Sequence, residues 1–122
     1  MAKMIFLIDD SSVMLASVKQ NLEIAGFTVE TAKDGLEAFQ RVKSGLKPDL
    51  IITDINMPNM NGIEFIRNAR TVLRFTPILV LTTESQTAKR DEAKKLGATG
   101  WLVKPVSGGD LLKVIKQVVP GT

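Results

Sequence analysis

Apolar residues in this chain gather in five short runs, and each run is followed by a stretch in which they recur every three or four positions. The runs are Met4–Ile8, Thr28–Thr31, Leu50–Thr53, Ile78–Leu81 and Trp101–Val103. They are too short and too β-branched to prefer helix, and they read as buried strands. The periodic stretches lie near Ser12–Ala25, Leu36–Lys43, Gly62–Leu73, Thr87–Leu96 and Asp110–Val119, and they read as amphipathic helices. The punctuation agrees with this division. Ser11 or Ser12 caps the first helix and Gly26 ends it, while Asp34-Gly35 opens the second and Gly45 closes it. Pro77 precedes the fourth strand, and Gly97 follows the fourth helix.

Five strand–helix units in succession predict an α/β fold, a doubly wound five-stranded parallel sheet with helices on both faces. For such flavodoxin-like sheets one common strand order is 2-1-3-4-5, with the ligand site beyond the carboxyl ends of strands 1 and 3. A chain of 122 residues fits one domain, 1–122, and no stretch is long enough for a separate output domain.

Composition narrows the chemistry. Cysteine and histidine are both absent, which removes disulfides, thiolate sites, histidine nucleophiles and the usual zinc ligand. Carboxylate, amine, hydroxyl or a bound metal must do any work. No stretch approaches the roughly 20 apolar residues of a membrane span, and the first residues do not resemble a signal peptide, so a cytoplasmic location is expected. The net charge of +3 is too modest to argue for nucleic acid.

The first run ends in Asp9-Asp10 and the third in Asp54. In the 2-1-3-4-5 order these strands are neighbours, so three carboxylates meet at one edge. Like charges that close require a cation or a proton. An all-oxygen donor set suits Mg²⁺, which often binds phosphate as well. Thr82 ends strand 4 and Lys104 ends strand 5 at the same edge. Asp54 is then the candidate nucleophile toward phosphorus, Lys104 a point-charge clamp on a phosphoryl oxygen, and Thr82 a hydrogen-bond donor to another. Singly, each of these residues is an ordinary cap, turn or surface residue. Their coincidence at one edge is what points to a site.

Asp9-Asp10, Asp54 with Met57-Pro58 and Gly62 after it, Thr82, and Lys104-Pro105 together resemble the motif of the response-regulator receiver domain, in order and in approximate spacing. The resemblance runs from Met4 to about Val119. It implies that Asp54 is the phosphoacceptor and that Mg²⁺ is held by Asp9, Asp10, Asp54 and the backbone carbonyl of Asn56. It further implies that Lys104 and Thr82 contact the phosphoryl group and that Thr82 and Trp101 form a switch, in a family where the bond corresponding to Lys104-Pro105 is often cis. Asn56 and Glu84 flank the acceptor and are expected to tune attack by water. Two positions depart from common family practice: Thr83 replaces a small residue, which narrows access, and Trp101 stands where Tyr or Phe is usual. The implied partners are a histidine kinase as phosphodonor, a downstream protein target and a possible phosphatase.

Within the family the chain is most similar to stand-alone chemotaxis regulators, through Asn56, Leu81-Thr82-Thr83-Glu84 and Gly100-Trp101-Leu102-Val103-Lys104-Pro105. That similarity implies a signalling protein rather than an enzyme, with the flagellar motor switch as a possible target. A relay or phosphate sink outside chemotaxis is the alternative. The output face is expected on helix 4, strand 5 and helix 5, where Lys89, Arg90, Lys94 and Lys95 would meet an acidic partner. A haloacid-dehalogenase-type phosphatase is a weaker reading, since Asp54-Ile55-Asn56 lacks the second acid of the Asp-x-Asp motif.

Overall fold

The computed structural model describes residues 2–121. The predicted alternation of elements is realised. The strands are β1 (Met4–Ile8), β2 (Thr28–Ala32), β3 (Leu50–Thr53), β4 (Ile78–Thr82) and β5 (Gly100–Val103). The helices are α1 (Ser12–Ile24), α2 (Gly35–Lys43), α3 (Gly62–Ala69), α4 (Thr87–Lys95) and α5 (Gly108–Val118). The strands form one parallel sheet in the order β2-β1-β3-β4-β5.

Alternation along each strand divides the interior into two cores. Ile5, Leu7, Leu50, Ile52, Leu79 and Leu81 face α1 and α5, where Leu22, Leu111 and Ile115 meet them. Phe6, Ile8, Ile51, Ile78 and Val80 face the other way, against Ala38 and Val42 of α2, Phe65 and Ile66 of α3 and Ala93 of α4. This two-sided burial explains why β1, β3 and β4 read as unbroken apolar runs rather than as alternating ones. Each large side chain so buried contributes about 1.5–3 kcal/mol.

Helix starts follow local chemistry. The Ser11 hydroxyl accepts from Met14 N–H, the Asp34 carboxylate from Glu37 N–H, and the Ser107 hydroxyl from Asp110 N–H. Asn61 and Glu64 form a reciprocal capping box at α3. Two predicted boundaries move by more than one residue. α3 stops at Ala69 rather than Leu73, and Leu73 enters the core from the turn that follows. α5 begins at Gly108, two residues earlier than expected, because the Ser107 cap overrides the poor helix propensity of Gly108-Gly109. Among the described residues no helix is long and apolar enough to cross a membrane.

At the amino edge of the sheet, Arg70 joins two loops. Its Nη1 donates to Leu73 O at 2.9 Å and Thr76 O at 2.7 Å, and its Nη2 donates to Gly97 O at 2.7 Å. Burial draws its pKa below the ordinary value.

Candidate functional site

The register of the sheet brings the acids together. Ile8 of β1 pairs with Thr53 of β3, so the next residues, Asp9 and Asp54, leave the sheet side by side. Asp54 N–H donates to Ile8 O at 3.0 Å, which fixes the end of β3 against the last residue of β1. Asp9 and Asp54 are buried, at 4% and 9% exposure, and Asp10 is exposed. Each of the three offers an oxygen within 4.8 Å of the others.

Lys104 completes the cluster. Its N–H donates to Thr82 O at 2.8 Å as β5 ends, and its side chain reaches back over the edge. Nζ lies 2.8 Å from Asp9 Oδ2 and 3.2 Å from Asp54 Oδ2. The other oxygen of each carboxylate is held by backbone. Ser11 N–H donates to Asp9 Oδ1 at 2.9 Å, and Ile55 N–H to Asp54 Oδ1 at 2.6 Å. Both carboxylates are thus oriented before any ligand arrives. Burial works against the Lys104 charge, but the hydrogen bond to Asp9 and the charge of Asp54 outweigh it and hold the ammonium above its ordinary pKa. The Lys104-Pro105 peptide bond is cis.

A second group of residues adjoins the first through β4. Thr82 is fully buried, and its hydroxyl accepts from Glu84 N–H at 3.1 Å. The half-buried Trp101 donates its indole N–H to Glu84 O at 3.2 Å and packs against the α2–α3–α4 core. The Glu84 carboxylate pairs with Lys89 at 2.9 Å, a hydrogen bond that holds its pKa below the ordinary value. One backbone segment therefore connects the strand-end hydroxyl to the edge-strand indole. Asn56 and Thr83 lie exposed in the two loops beside this arrangement.

One contact near the site escapes sequence reasoning. Asp34, read as a helix opener, also accepts a hydrogen bond from Asn59 Nδ2 at 2.8 Å. Asn59 has a left-handed backbone, φ 67°, which asparagine tolerates better than most residues. Its place in the turn after Met57-Pro58 is the available signal for that conformation, but nothing in the sequence pairs it with Asp34.

Residues 5–116 match the response regulator receiver domain family. The chain belongs to that family. This receiver domain resembles the chemotaxis protein CheY4 of Vibrio cholerae, with a TM-score of 0.90 and 43% identity over 97% of this chain and 99% of that one. It is 36% identical over 121 residues to the chemotaxis protein CheY1 of Helicobacter pylori, covering 97% of each chain. A response regulator from Burkholderia pseudomallei, solved with a phosphorylated aspartic acid, a calcium ion and citrate, matches with a TM-score of 0.84 and 27% identity, over 98% of this chain and 67% of that one. The chain also spans about half the length (49%) of the first curated relatives it matches, transcriptional regulatory proteins 34% identical to it over 115 residues.

Receiver domains are signalling proteins of two-component systems. They bind Mg²⁺ at an acidic site, take phosphoryl groups from histidine kinases and act on downstream targets. The residues at this edge fit such a cation. Their donors are all oxygen, and three carboxylates against one ammonium leave two negative charges.

Proposed function

We propose that Asp54 accepts a phosphoryl group from a separate histidine kinase and that phosphorylation alters the face formed by α4, β5 and α5. The observation that carries this reading is the Lys104 ammonium bridging Asp9 and Asp54 at the edge where Thr82 presents its hydroxyl. An Asp54 carboxylate oxygen attacks the phosphorus of the donor phosphohistidine. A P–O bond forms as the P–N bond breaks, and the leaving imidazole keeps the electron pair and takes a proton. The 122 residues contain no histidine, so the donor phosphohistidine lies outside them.

Asp9, Asp10, Asp54 and the Asn56 carbonyl would hold Mg²⁺, which supplies charge neutralisation for an anionic group approaching anions. Lys104 transfers its hydrogen bonding from the carboxylates to a phosphoryl oxygen. Thr82 uses its hydroxyl as acceptor toward Glu84, which leaves its own proton to donate to a second oxygen. Hydrolysis reverses the gain: water attacks phosphorus, the P–O bond to Asp54 breaks, and inorganic phosphate leaves. Asn56 and Glu84 flank that water, and a separate phosphatase would act at the same bond.

We further propose a chemotaxis role, with the receiver acting alone on a target such as the flagellar motor switch. The end-to-end matches to two chemotaxis proteins support it. Incubation with acetyl phosphate and Mg²⁺ is expected to add one phosphoryl group to the intact mass. Asp54→Asn or chelation of the metal should abolish the gain. Phosphorylation of the Asp54→Asn variant would show that the acceptor lies elsewhere. Cells carrying that variant should swim without following gradients. Unimpaired chemotaxis would overturn the cellular role and leave the chemistry standing.

A further inference from the structure

The loop from Asp54 to Asn61 carries the acceptor at one end and Asn56 just beyond it. Its internal bonds give it shape. Gly62 N–H donates to Ile55 O at 2.8 Å, and Met60 N–H to Pro58 O at 2.7 Å. Gly62 must be glycine, because a Cβ there would lie 2.1 Å from Asp54 O. These bonds do not place the loop relative to the sheet. Two others join it to the corner between β2 and α2: Gly35 N–H donates to Met60 O at 3.0 Å, and Asn59 Nδ2 donates to Asp34 Oδ2 at 2.8 Å. The approach is so close that a Cβ on Gly35 would lie 2.3 Å from Met60 O.

Asp34 is more than a helix cap. Capping α2 needs one side-chain oxygen, and Oδ1 supplies it to Glu37 N–H at 2.8 Å. A cap on a surface helix needs no burial, yet Asp34 is only 4% exposed. A buried carboxylate is unfavourable unless its second oxygen is also satisfied, and here the Asn59 amide satisfies it. Asparagine or serine would cap as well, but neither has a second acceptor oxygen to reach Asn59. The second acceptor serves the loop.

We infer that Asp34 is a positioning residue for the acceptor loop, acting through Asn59 to set the geometry with which Asn56 and Asp54 receive a metal and a phosphoryl group. The inference deepens the phosphoacceptor reading and rests on it. It has no part in the chemistry itself, since Asp34 touches neither Asp54 nor Lys104. It assigns a function to a corner of the fold on the far side of β1 from Lys104.

Two variants separate this role from capping. Asp34→Ser keeps the cap but removes the oxygen that reaches the Asn59 amide. Asn59→Gly keeps the left-handed backbone and deletes the amide. Both should weaken Mg²⁺ binding by about 10-fold, read by calorimetry without a phosphodonor, and slow acetyl phosphate transfer to a similar degree, as removal of outer support at metal sites does. Amide hydrogen exchange at residues 55–61 of the metal-free protein should rise in both. The exchanged pair Asp34→Asn with Asn59→Asp restores a donor–acceptor contact and should return all three measurements toward the parent. Urea unfolding midpoints identify any variant that has lost its fold.

Unchanged exchange at 55–61 in both variants would overturn the clasp. Raised exchange with unchanged Mg²⁺ affinity would overturn the positioning role. A parent protein that gains no phosphoryl group on Asp54 would instead refute the phosphoacceptor reading, and hydrogen exchange would still judge the clasp.

Discussion

The carboxylates near the functional edge show how neighbours decide what an acid does. Asp9 and Asp54 each give one oxygen to a backbone N–H and the other to Lys104. Asp34, with two neutral donors, is held below its ordinary pKa of 3.8, chiefly by the Glu37 N–H. A carboxyl whose folded pKa is depressed adds stability that is fully present above its unfolded value. That stability is lost as pH falls through the lower folded value. Asp34→Asn removes this titration, so the stability gap between parent and variant should narrow as pH drops below 3.8. Urea midpoints measured on both sides of that pH check it; a constant gap would count against the assignment. The residues gathered at this edge were legible because each lies at a strand end, where an apolar run meets acids, a hydroxyl or an amine. Asn59 was not legible, because its partner lies 25 positions away and is already accounted for as a cap.

Between elements, the segment after β4 is held from both sides. Thr82 accepts from Glu84 N–H, and Trp101 of β5 donates to Glu84 O. On the proposed reading, a phosphoryl group that draws the Thr82 hydroxyl toward itself would strain the first bond without needing to break it, and the second would carry the change to the edge strand. Trp101→Phe deletes the indole donor while keeping most of the ring. It should cost about 1 kcal/mol and raise hydrogen exchange at Thr83–Gln86. Undiminished protection there would count against the expected Thr82–Trp101 switch. Element boundaries were less legible than the elements themselves. Leu73 keeps helical spacing in the sequence although its backbone has already turned, because the core takes its side chain from a loop. Gly108-Gly109 reads as loop, yet the Ser107 cap makes it the first turn of α5.

Across the whole molecule, the sheet order and the two cores followed from the alternation of short apolar runs with helical periods, since a strand buried on both faces can only read as an unbroken run. The proposed output face was less legible. Of the α4 cations, Lys89 is engaged by Glu84, so an acidic partner has Arg90, Lys94 and Lys95 to meet. Binding of such a partner should weaken as salt rises, and weaken further when Lys94 and Lys95 are replaced by Glu; surface plasmon resonance at two ionic strengths tests both. Salt-independent binding would place the contact on apolar surface instead. The Arg70 guanidinium has a mechanical consequence for that face. It ties Gly97, just past the trailing end of α4, to the loop before β4. The leading end, at Gln86, has no side-chain cap. If the helix moves, the Arg70 tie makes Gly97 its pivot. On the proposed reading, a displacement begun beside the carboxylates would swing its first turn most, through Glu84 and Lys89, and a partner lying along α4 would read a tilt rather than a translation.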